Sequence, residues 1–305
     1  MSTTVERPRS TAKPVPAVPD DERGQSARRR IGKRVLGYSL LVALALLYIV
    51  PFAIQIATSF KTDPNAAASP LSLVPNPFTL AAWERLFDGN TGNYPLYLFN
   101  SVFVTLSVTA GRVFFDSLAG YALSRLQFRG RAALFGAVLA VLAVPGVVLL
   151  IPKFLVLKQL GMYDQYSGMI VPLMIDAAGV FIMKQFFDSV PISIEEAARM
   201  DGAGVFRTFW SVVLPMARPA LITLTILSFQ GSWNEFTHFL VATQSEDKQT
   251  LILALARLTS GQLGSGQQFP LKLAAALLAT IPVALVFFAF QRHFVTGANE
   301  GGVKG

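Results

Sequence analysis

The most constraining feature of this sequence is a run of 26 residues, 35–60, that contains no charged side chain. A helix of this length can span the roughly 30 Å of hydrocarbon in a bilayer, whereas the apolar core of a signal peptide has only about 7 to 15 residues. Five further apolar segments follow, at 98–121, 132–151, 169–187, 220–240 and 273–290. The sequence therefore predicts an all-α integral membrane protein with six transmembrane helices.

Composition supports this fold class. Charged residues make up 14% of the chain and apolar residues 52%, and the mean hydropathy is +0.49. Soluble domains carry about 25% charged residues, because their surfaces face water. The net charge of +8 does not indicate nucleic-acid binding, because the basic residues lie mostly at the ends of apolar segments. The chain has no cysteine, and its two histidines, His238 and His293, do not have the spacing of metal ligands.

The distribution of lysine and arginine predicts the orientation in the membrane. If the N-terminus is cytoplasmic, 18 of the 26 basic residues fall on the cytoplasmic side and 7 on the opposite side. Positively charged segments are retained in the cytoplasm, so we expect both termini there. Residues 1–34 are rich in Pro, Ser, Thr and Arg and are expected to form a disordered basic cytoplasmic tail. Residues 35–305 are expected to form the transmembrane domain.

Four ionisable residues fall within the predicted spans: Arg112, Asp116, Asp176 and Glu235. A charge at the centre of the bilayer costs about 2.5 to 3.5 kcal/mol on insertion scales, so these side chains are expected to face other helices. Arg112 and Asp116 are four residues apart and share a helical face. They are expected either to form a structural ion pair or to line the solute route.

The predicted fifth span contains a polar cluster. Gln230, Asn234 and His238 follow one another at four-residue spacing, with Glu235 beside them, and are expected to share a helical face. Such a stripe can bind a hydroxylated solute or hold neighbouring helices together. The candidates for a translocation path are Gln230, Asn234, Glu235 and Asp176, and both interpretations stay open for them.

Residues 191–219, between the fourth and fifth spans, predict a helix–turn–helix outside the membrane. Ser193 and Glu196 have the spacing of a capping box, so the first helix is expected to begin at Ile194. Gly202 is expected to end that helix in a left-handed conformation. From spacing alone, the first helix lies either on lipid headgroups or against another protein.

A second amphipathic segment is predicted after Gly202. Four of its residues have the spacing of one helical face: Phe206, Phe209, Trp210 and Val213. Pro215 is expected to break this segment, and Pro219 suits the first turn of the next span.

This stretch resembles the EAA loop of permease subunits of bacterial ATP-binding-cassette importers. In that loop Glu-Ala-Ala is followed after three residues by Gly, and after nine more by an aliphatic residue, one further residue and Leu-Pro. The matching residues here are Glu196, Ala197, Ala198, Gly202, Val212, Leu214 and Pro215. Asp201-Gly202-Ala203 is also similar to the carbohydrate-importing branch of the family.

The resemblance extends from residue 35 over most of the chain. It is carried by Asn100-Ser101, by Gly120 to Arg125, by Trp233-Asn234 and by the terminal Gly301 to Gly305, which are most similar to the smaller permease subunit of the maltose transporter. It implies a type I importer permease fold with a cytoplasmic coupling helix that docks in a cleft on an ATPase subunit. The ATPase-coupling residues that it implies are Glu196, Ala197, Ala198, Asp201, Gly202, Leu214 and Pro215.

The resemblance also implies partners. These are a second, different permease subunit, two copies of an ABC ATPase subunit and an extracytoplasmic solute-binding protein, assembled in the bacterial cytoplasmic membrane. The sequence has no Gly-x-x-x-x-Gly-Lys-Ser/Thr motif, so ATP and Mg²⁺ are expected on the ATPase subunits and no cofactor or enzymatic activity is expected in this chain. Candidate contacts with the binding protein lie in loop 241–272, at Arg257, Ser260, Gln262 and Gln267, with a flexible linker as the alternative.

The solute implied by the resemblance is a sugar or oligosaccharide, and glycerol-phosphate-like solutes stay open. The alternative function is an ion-coupled secondary transporter that uses Asp116, Asp176 and Glu235. That alternative gives no reason for the EAA stretch. A membrane-bound enzyme would need a cluster of nucleophile, base or metal ligands that the sequence does not offer.

Overall fold

The computed structural model describes residues 20–260 and 268–300, with side chains for 34–260 and 268–291, and every regular element in these ranges is helical. Within them, four helices are long and apolar enough to span a membrane, or six if each of two bent pairs counts as one span. The predicted all-α membrane fold with six transmembrane helices is confirmed. The sequence did not reveal that two of the spans are sharply bent.

Helix α1 (Asp20–Ser59) contains the first span, Arg34–Ser59. The chain divides into two compact units, and the boundary falls within α1, between Ile54 and Gln55. Residues 20–34, which the sequence analysis placed in the basic tail, form the first turns of α1. All prolines of this region precede Asp20, and extending an existing helix requires no new nucleation. Residues 1–19 lie outside the described part of the chain.

The second unit begins with two short helices before the second span. The helices up to the fourth span are α2 (Asp63–Ala68), α3 (Ala81–Phe87), α4 (Tyr94–Arg125), α5 (Arg131–Leu142), α6 (Leu150–Gln159), α7 (Tyr166–Ile170) and α8 (Ala177–Ser189). The helices that follow are α9 (Ile192–Met200), α10 (Val205–Thr208), α11 (Leu214–Met216), α12 (Arg218–Trp233), α13 (Thr237–Ala242), α14 (Leu251–Ser260) and α15 (Phe269–Glu300). One π-helical turn, Phe209–Val213, links α10 to α11.

Helix α4 lies at the centre of the second unit and packs against both α8 and α12. At Gly120 the backbones of α4 and α8 approach closely, because a Cβ atom there would be 2.7 Å from the Cβ of Met183. Small residues at such crossings are typical of membrane helices, which associate through close packing. Around this crossing, Tyr121, Phe187 and Phe209 belong to one buried apolar cluster.

The predicted third span is two helices rather than one. The segments Arg131–Leu142 and Gly146–Gln159 meet at an angle of 101°. Pro145 lies at the break, with φ −59° and ψ 126°, and has no backbone N–H to continue a helix. The residue before a proline also disfavours helical geometry, which accounts for the break at Val144.

The fourth span is also discontinuous, and the fifth begins at a sharp bend. The fourth, Tyr166–Ser189, is interrupted between Leu173 and Ala177. The segments Val205–Met216 and Arg218–Trp233 bend by 80° at Ala217, and the fifth span ends at Trp233 rather than at residue 240. The predicted position of Pro219 in the first turn of this span is confirmed.

The loops of the second unit fall at two opposite ends of α4. At its C-terminal end, Arg125 contacts Glu195 of α9, and Arg131 bonds to the carbonyls of Leu123 and Ser124. At its N-terminal end, Asn100 bonds to the carbonyls of Asp247 and Gln249 and accepts the Tyr166 hydroxyl. The loop after α4 and the segment of α9 therefore meet at one end of α4, and the loops before α7 and α14 meet at the other end.

Candidate coupling site and solute path

Helix α9 begins two residues earlier than predicted. Its N-cap is Pro191 and its first residue is Ile192, and Pro191 makes no side-chain cap. The predicted capping box between Ser193 and Glu196 is wrong, because Ser193 already lies inside the first turn. The fixed φ of Pro191, −58°, sets the entry into the helix instead.

The end of α9 follows the prediction. Gly202 adopts the left-handed conformation with φ +80°, and its N–H donates to the Arg199 carbonyl at 2.9 Å. The Ala203 N–H donates to the Ala198 carbonyl, also at 2.9 Å. These two bonds satisfy the last free carbonyls of the helix and turn the chain sharply. A residue with a Cβ would be strained at this position.

The outward surface of α9 combines charge, small side chains and apolar tips. Glu196, Ala197 and Asp201 are exposed, and Ala198 is half-buried. Met200 and Phe206 are 88% and 77% exposed, at the end of the bundle where water rather than lipid is expected. Exposed apolar side chains framed by charges are typical of protein-binding surfaces.

The segment after Gly202 does not present the single apolar face that was predicted. Phe209 and Val213 are buried, whereas Phe206 and Trp210 are exposed. The π-helical turn Phe209–Val213 holds more residues per turn than an α-helix, so the four-residue spacing no longer keeps these side chains on one face.

Downstream of this segment, Leu214 and Pro215 lie in α11, immediately before the 80° bend into the fifth span. The implied coupling residues therefore occupy the path from α9 to that span. Pro215 lies within the first turn of α11 and does not end it.

The two intramembrane charges of α4 do not form an ion pair, which was one of the two interpretations left open for them. Arg112 Nε donates to the Leu173 carbonyl at 2.8 Å, and Asp116 Oδ1 accepts the backbone N–H of Asp176 at 3.0 Å. Both side chains thus bond to backbone groups that are freed where the fourth span is interrupted. Within a membrane such groups need partners from neighbouring helices.

Asp176 lies at the same interruption. Its carboxylate caps α8 by accepting the Gly179 N–H at 3.3 Å. The sequence indicated a charge inside the span, but it did not indicate that the helix begins anew at this residue.

The predicted polar face of the fifth span is wrong. Helix α12 ends at Trp233, so Gln230, Asn234 and His238 do not follow one helical period. Asn234 is exposed and its amide donates to the Gln230 carbonyl at 3.0 Å. Glu235 Oε1 accepts the His238 N–H at 2.7 Å and caps the first turn of α13.

Glu235 and His238 belong to a small polar cavity beside the break of the third span. The cavity has a volume of about 210 Å³ and is also lined by Lys153 and Gly146. The ring of His238 is buried, its Nε2 lies 3.0 Å from the Gly168 carbonyl, and burial lowers its pKa. The structure therefore brings Glu235 and His238, which the sequence already grouped, together with Lys153, which the sequence pattern did not connect to them.

The opposite end of the bundle holds the candidate contacts with a binding protein. Arg257 and Ser260 lie in α14, so the expectation of an irregular loop is wrong there. Leu251, Ala254 and Leu258 bury one face of α14, which stabilises it as a helix. Gln262 and Gln267 lie outside the described residues.

Arg257 lines a polar cleft of about 560 Å³, together with Arg85, Asn90 and Gln249. At the same end, Asp164, in the loop before α7, accepts hydrogen bonds from the backbone N–H groups of Gln244 and Ser245, in the loop after α13, at 2.9 and 3.0 Å. A bond from the Ser245 hydroxyl and these backbone bonds lower the pKa of Asp164 well below its usual value.

Sequence reasoning missed one contact of α9. Glu195, next to the predicted coupling residue Glu196, is buried and lies 3.0 Å from Nε of Arg125. The only signal in the sequence was the four-residue spacing of Tyr121 and Arg125 in the last turns of α4. This spacing places a hydroxyl and a guanidinium on one helical face, where an acidic side chain of another helix can bind both.

Comparison with known proteins agrees with this geometry. Residues 114–299 match the family described as the binding-protein-dependent transport system inner membrane component. The polygalacturonan/rhamnogalacturonan transport system permease protein YtcP of Bacillus subtilis is 35% identical over 283 residues, which cover 89% of this chain and 98% of that protein. The arabinooligosaccharides transport system permease protein AraQ of Bacillus subtilis is 32% identical, covering 86% and 92%.

Two further matches extend the range of solutes among similar proteins. The sn-glycerol-3-phosphate transport system permease protein UgpE of Yersinia enterocolitica is 29% identical, covering 88% of this chain and 96% of that protein. The crystal structure of a bacterial ABC transporter involved in the import of the acidic polysaccharide alginate matches with a TM-score of 0.76 at 25% identity, covering 88% of this chain and 98% of the matched chain.

These matches give no support to the ion-coupled alternative. The spans, the EAA stretch at the end of the bundle and the matches over most of the chain lead to one assignment. The chain belongs to the family of binding-protein-dependent transport system inner membrane components and is a membrane-spanning permease subunit of an ABC importer.

Proposed function

We propose that this permease imports a sugar or oligosaccharide that an extracytoplasmic binding protein delivers, together with a second, different permease subunit and two copies of an ATPase subunit. The proposal is supported by the similar proteins named for polygalacturonan/rhamnogalacturonan and arabinooligosaccharide transport. The glycerol-phosphate system among the matches makes a phosphorylated polyol the second candidate solute. ATP and Mg²⁺ bind to the ATPase subunits, and both termini of the permease are cytoplasmic.

Helix α9 is the element that couples this chain to ATP hydrolysis. Its exposed Glu196 supplies the charged contact, Ala197 and Ala198 permit close approach, and Asp201 and Gly202 form the turn. Leu214 and Pro215 carry the movement into the fifth span. The observation that carries this proposal is the outward face of α9, with its left-handed Gly202, at the Arg125 end of the bundle.

The coupling role predicts different effects of leucine at two neighbouring glycines. Gly202 has φ +80° and Gly204 has φ −72°, and neither has an atom within 4 Å of an added Cβ. Gly202→Leu is therefore strained in its turn, whereas Gly204→Leu is not. We expect the Gly202→Leu importer to assemble and to lose about tenfold in solute-stimulated ATP hydrolysis.

The Gly204→Leu importer is the matched control and should retain most of this activity. The measurements are co-purification of the ATPase and ATP hydrolysis in proteoliposomes with and without binding protein and solute. Equal activity of the two variants would exclude α9 as the coupling element.

The solute route is lined by Gln230, Asn234, Glu235 and Asp176 near the breaks of the spans. The binding protein contacts Arg257 and Ser260 on the opposite end from α9, and Gln262 and Gln267, which lie outside the described residues, are proposed as further contacts. The cleft beside Arg257 supports this binding-protein contact. The experiment measures how strongly the binding protein stimulates ATP hydrolysis by an Arg257→Ala importer. Full stimulation would exclude Arg257 as a contact with the binding protein.

A further inference from the structure

The two consecutive glutamates of α9 face opposite directions. Glu196 is exposed, whereas Glu195 is 1% exposed. A buried carboxylate is costly unless it is paired and hydrogen-bonded, so its partners identify what the helix is held against. For Glu195 these partners come from α4 and not from lipid or from α9 alone.

The main partner of Glu195 is Arg125, the last residue of α4. Its Nε lies 3.0 Å from Glu195 Oε1, and its side chain is 9% exposed. The guanidinium also donates to the backbone carbonyls of Phe187 and Val190, at the C-terminal end of α8. A cation is favoured at this position because the carbonyls at a helix C-terminus carry partial negative charge. Arg125 therefore connects the ends of α4 and α8 to the first turns of α9.

Tyr121 adds a second connection. Its hydroxyl donates to Glu195 Oε2 at 3.2 Å. Its ring packs against Phe187 of α8 and Phe209 of the π-helical turn, with centroid distances of 5.7 and 4.9 Å. Glu195 Oε2 thus accepts a hydrogen bond, whereas Oε1 is held by charge attraction to Arg125 without hydrogen-bond geometry. The segments before and after α9 meet the same aromatic ring.

We propose that Glu195, Arg125 and Tyr121 form a buried clamp that fixes the coupling helix to the ends of α4 and α8, so that its displacement moves these two spans. The inference rests on the proposed docking of α9 on an ATPase subunit. Glu195 is a positioning residue in this arrangement. Glu196 contacts the ATPase subunit, and Glu195 links the resulting displacement of α9 to α4 and α8 through Arg125 and Tyr121.

The physical basis is the stiffness of a buried polar network. Glu195 also lies 3.8 Å from Arg199, but Arg199 belongs to α9 and moves with it. Rotation of α9 relative to α4 would therefore separate Glu195 from Arg125 and Tyr121 and leave the Arg125 charge without its carboxylate in a dry site. The planar guanidinium places one nitrogen on two backbone carbonyls and another beside the Glu195 carboxylate, a geometry that a lysine ammonium does not match. Movement of α9 relative to α4 is therefore more costly than movement of the clamped elements together.

The first test uses Glu195→Gln in the complete importer, reconstituted in proteoliposomes with its partner subunits and binding protein. Glutamine keeps the shape and the acceptor for Tyr121 but removes the charge that pairs with Arg125. We expect the ATPase to co-purify as before, and the solute transported per ATP hydrolysed to fall by about tenfold. The matched control is Arg129→Gln, which removes an exposed charge close to the clamp and should leave this ratio unchanged.

The second test measures the movement itself. The chain has no cysteine, so spin labels can be attached at Met200→Cys in α9 and Gln127→Cys after α4, which are both exposed. We expect a single narrow distance distribution in nucleotide-free and in vanadate-trapped importer. With the Glu195→Gln substitution added, the same two spin labels should give a broad distance distribution in the nucleotide-free and in the vanadate-trapped importer. A contact that only stabilised α9 locally would not broaden the distribution in both of these states.

A normal ratio of transport to hydrolysis together with an unchanged distance distribution in Glu195→Gln would overturn the clamp. If the Glu195→Gln importer does not reach the membrane, Tyr121→Phe is used instead, because it removes only one hydroxyl. It should lower the solute transported per ATP hydrolysed by about threefold. No change in this ratio would overturn the clamp. Failure of the proposed function looks different: the ATPase would not co-purify with the unaltered chain, or Gly202→Leu would have no effect.

Discussion

At the residue scale, the carboxylates of Asp176 and Glu235 accept backbone N–H groups in the first turns of α8 and α13, at 3.3 and 2.7 Å. Each caps a helix that begins where a longer apolar segment was expected to continue. Glu235 uses only Oε1 in this bond, and it also lines the cavity of about 210 Å³ with Lys153 and His238. Glu235 thus has a structural role as a helix cap and also lines a cavity.

Two substitutions separate these roles of Glu235. Glutamine keeps the carbonyl oxygen that caps α13 and loses the charge, whereas alanine loses both. If Glu235 contacts the solute, Glu235→Gln should lower uptake per permease molecule by about tenfold, equivalent to roughly 1.4 kcal/mol, with normal abundance in the membrane. The measurement is uptake normalised to the amount of importer.

The control for charge removal is Glu84→Gln, at an exposed position in α3. Uptake by Glu235→Gln equal to that of the unaltered importer, with a loss only in Glu235→Ala, would assign the residue to capping alone.

The sequence was informative about residues whose role follows from local geometry and less so about residues that meet over long distances. Gly202 was identified because a left-handed turn favours glycine, and its φ of +80° confirms this. Glu195 and Arg125 are 3.0 Å apart but belong to different helices, so no spacing rule connects them. The capping box at Ser193 was wrong because Pro191 starts the helix earlier.

At the scale of elements, the number of spans could be read from apolar length, but their breaks could not. The break of the third span at Pro145 follows from the missing N–H of proline, yet Pro51 and Pro282 lie inside continuous helices α1 and α15. Tertiary partners decide between these outcomes. At the fourth span, Arg112 and Asp116 satisfy the freed backbone groups, and this could be seen only once α4 and α8 were placed together.

The crossing of α4 and α8 predicts a difference between two helical glycines. A Cβ at Gly120 would be 2.7 Å from Met183 Cβ and 2.9 Å from the Lys184 nitrogen, whereas a Cβ at Gly136 in α5 would have no atom within 4 Å. Gly120→Ala must push the helices apart, and overpacking of this kind costs about 1 to 3 kcal/mol. Gly136→Ala should be neutral or stabilising by up to about 1 kcal/mol, because alanine favours helix.

The measurement for both glycine variants is the thermal unfolding midpoint of the detergent-solubilised importer, with abundance in the membrane as a second readout. A Gly120→Ala importer as stable as Gly136→Ala would contradict the close crossing.

At the scale of the whole molecule, the sequence placed the Arg125–Arg131 loop and α9 on one side, and the structure has them together at one end of α4. Which side of the membrane this end faces stays a prediction from charge. One end of the bundle carries Arg125, Arg131 and the coupling helix, and the other carries the cleft beside Arg257. An ATPase subunit reaches only the cytoplasmic side and a solute-binding protein only the outer side. The orientation of the molecule therefore determines whether both proposed contacts are possible.

Single cysteines test this orientation in intact cells. The natural chain has none, so Met200→Cys in α9 and Glu246→Cys at the opposite end of the bundle each give one exposed thiol. A maleimide that does not cross membranes should label Glu246→Cys in right-side-out membranes and Met200→Cys only after the membrane is opened, because the basic residues hold the α9 end in the cytoplasm. Labelling of both variants in opened membranes is the control for thiol reactivity. If Met200→Cys is labelled from outside while Glu246→Cys is protected, α9 cannot meet an ATPase, and the coupling role, the clamp and the site for the binding protein are all excluded.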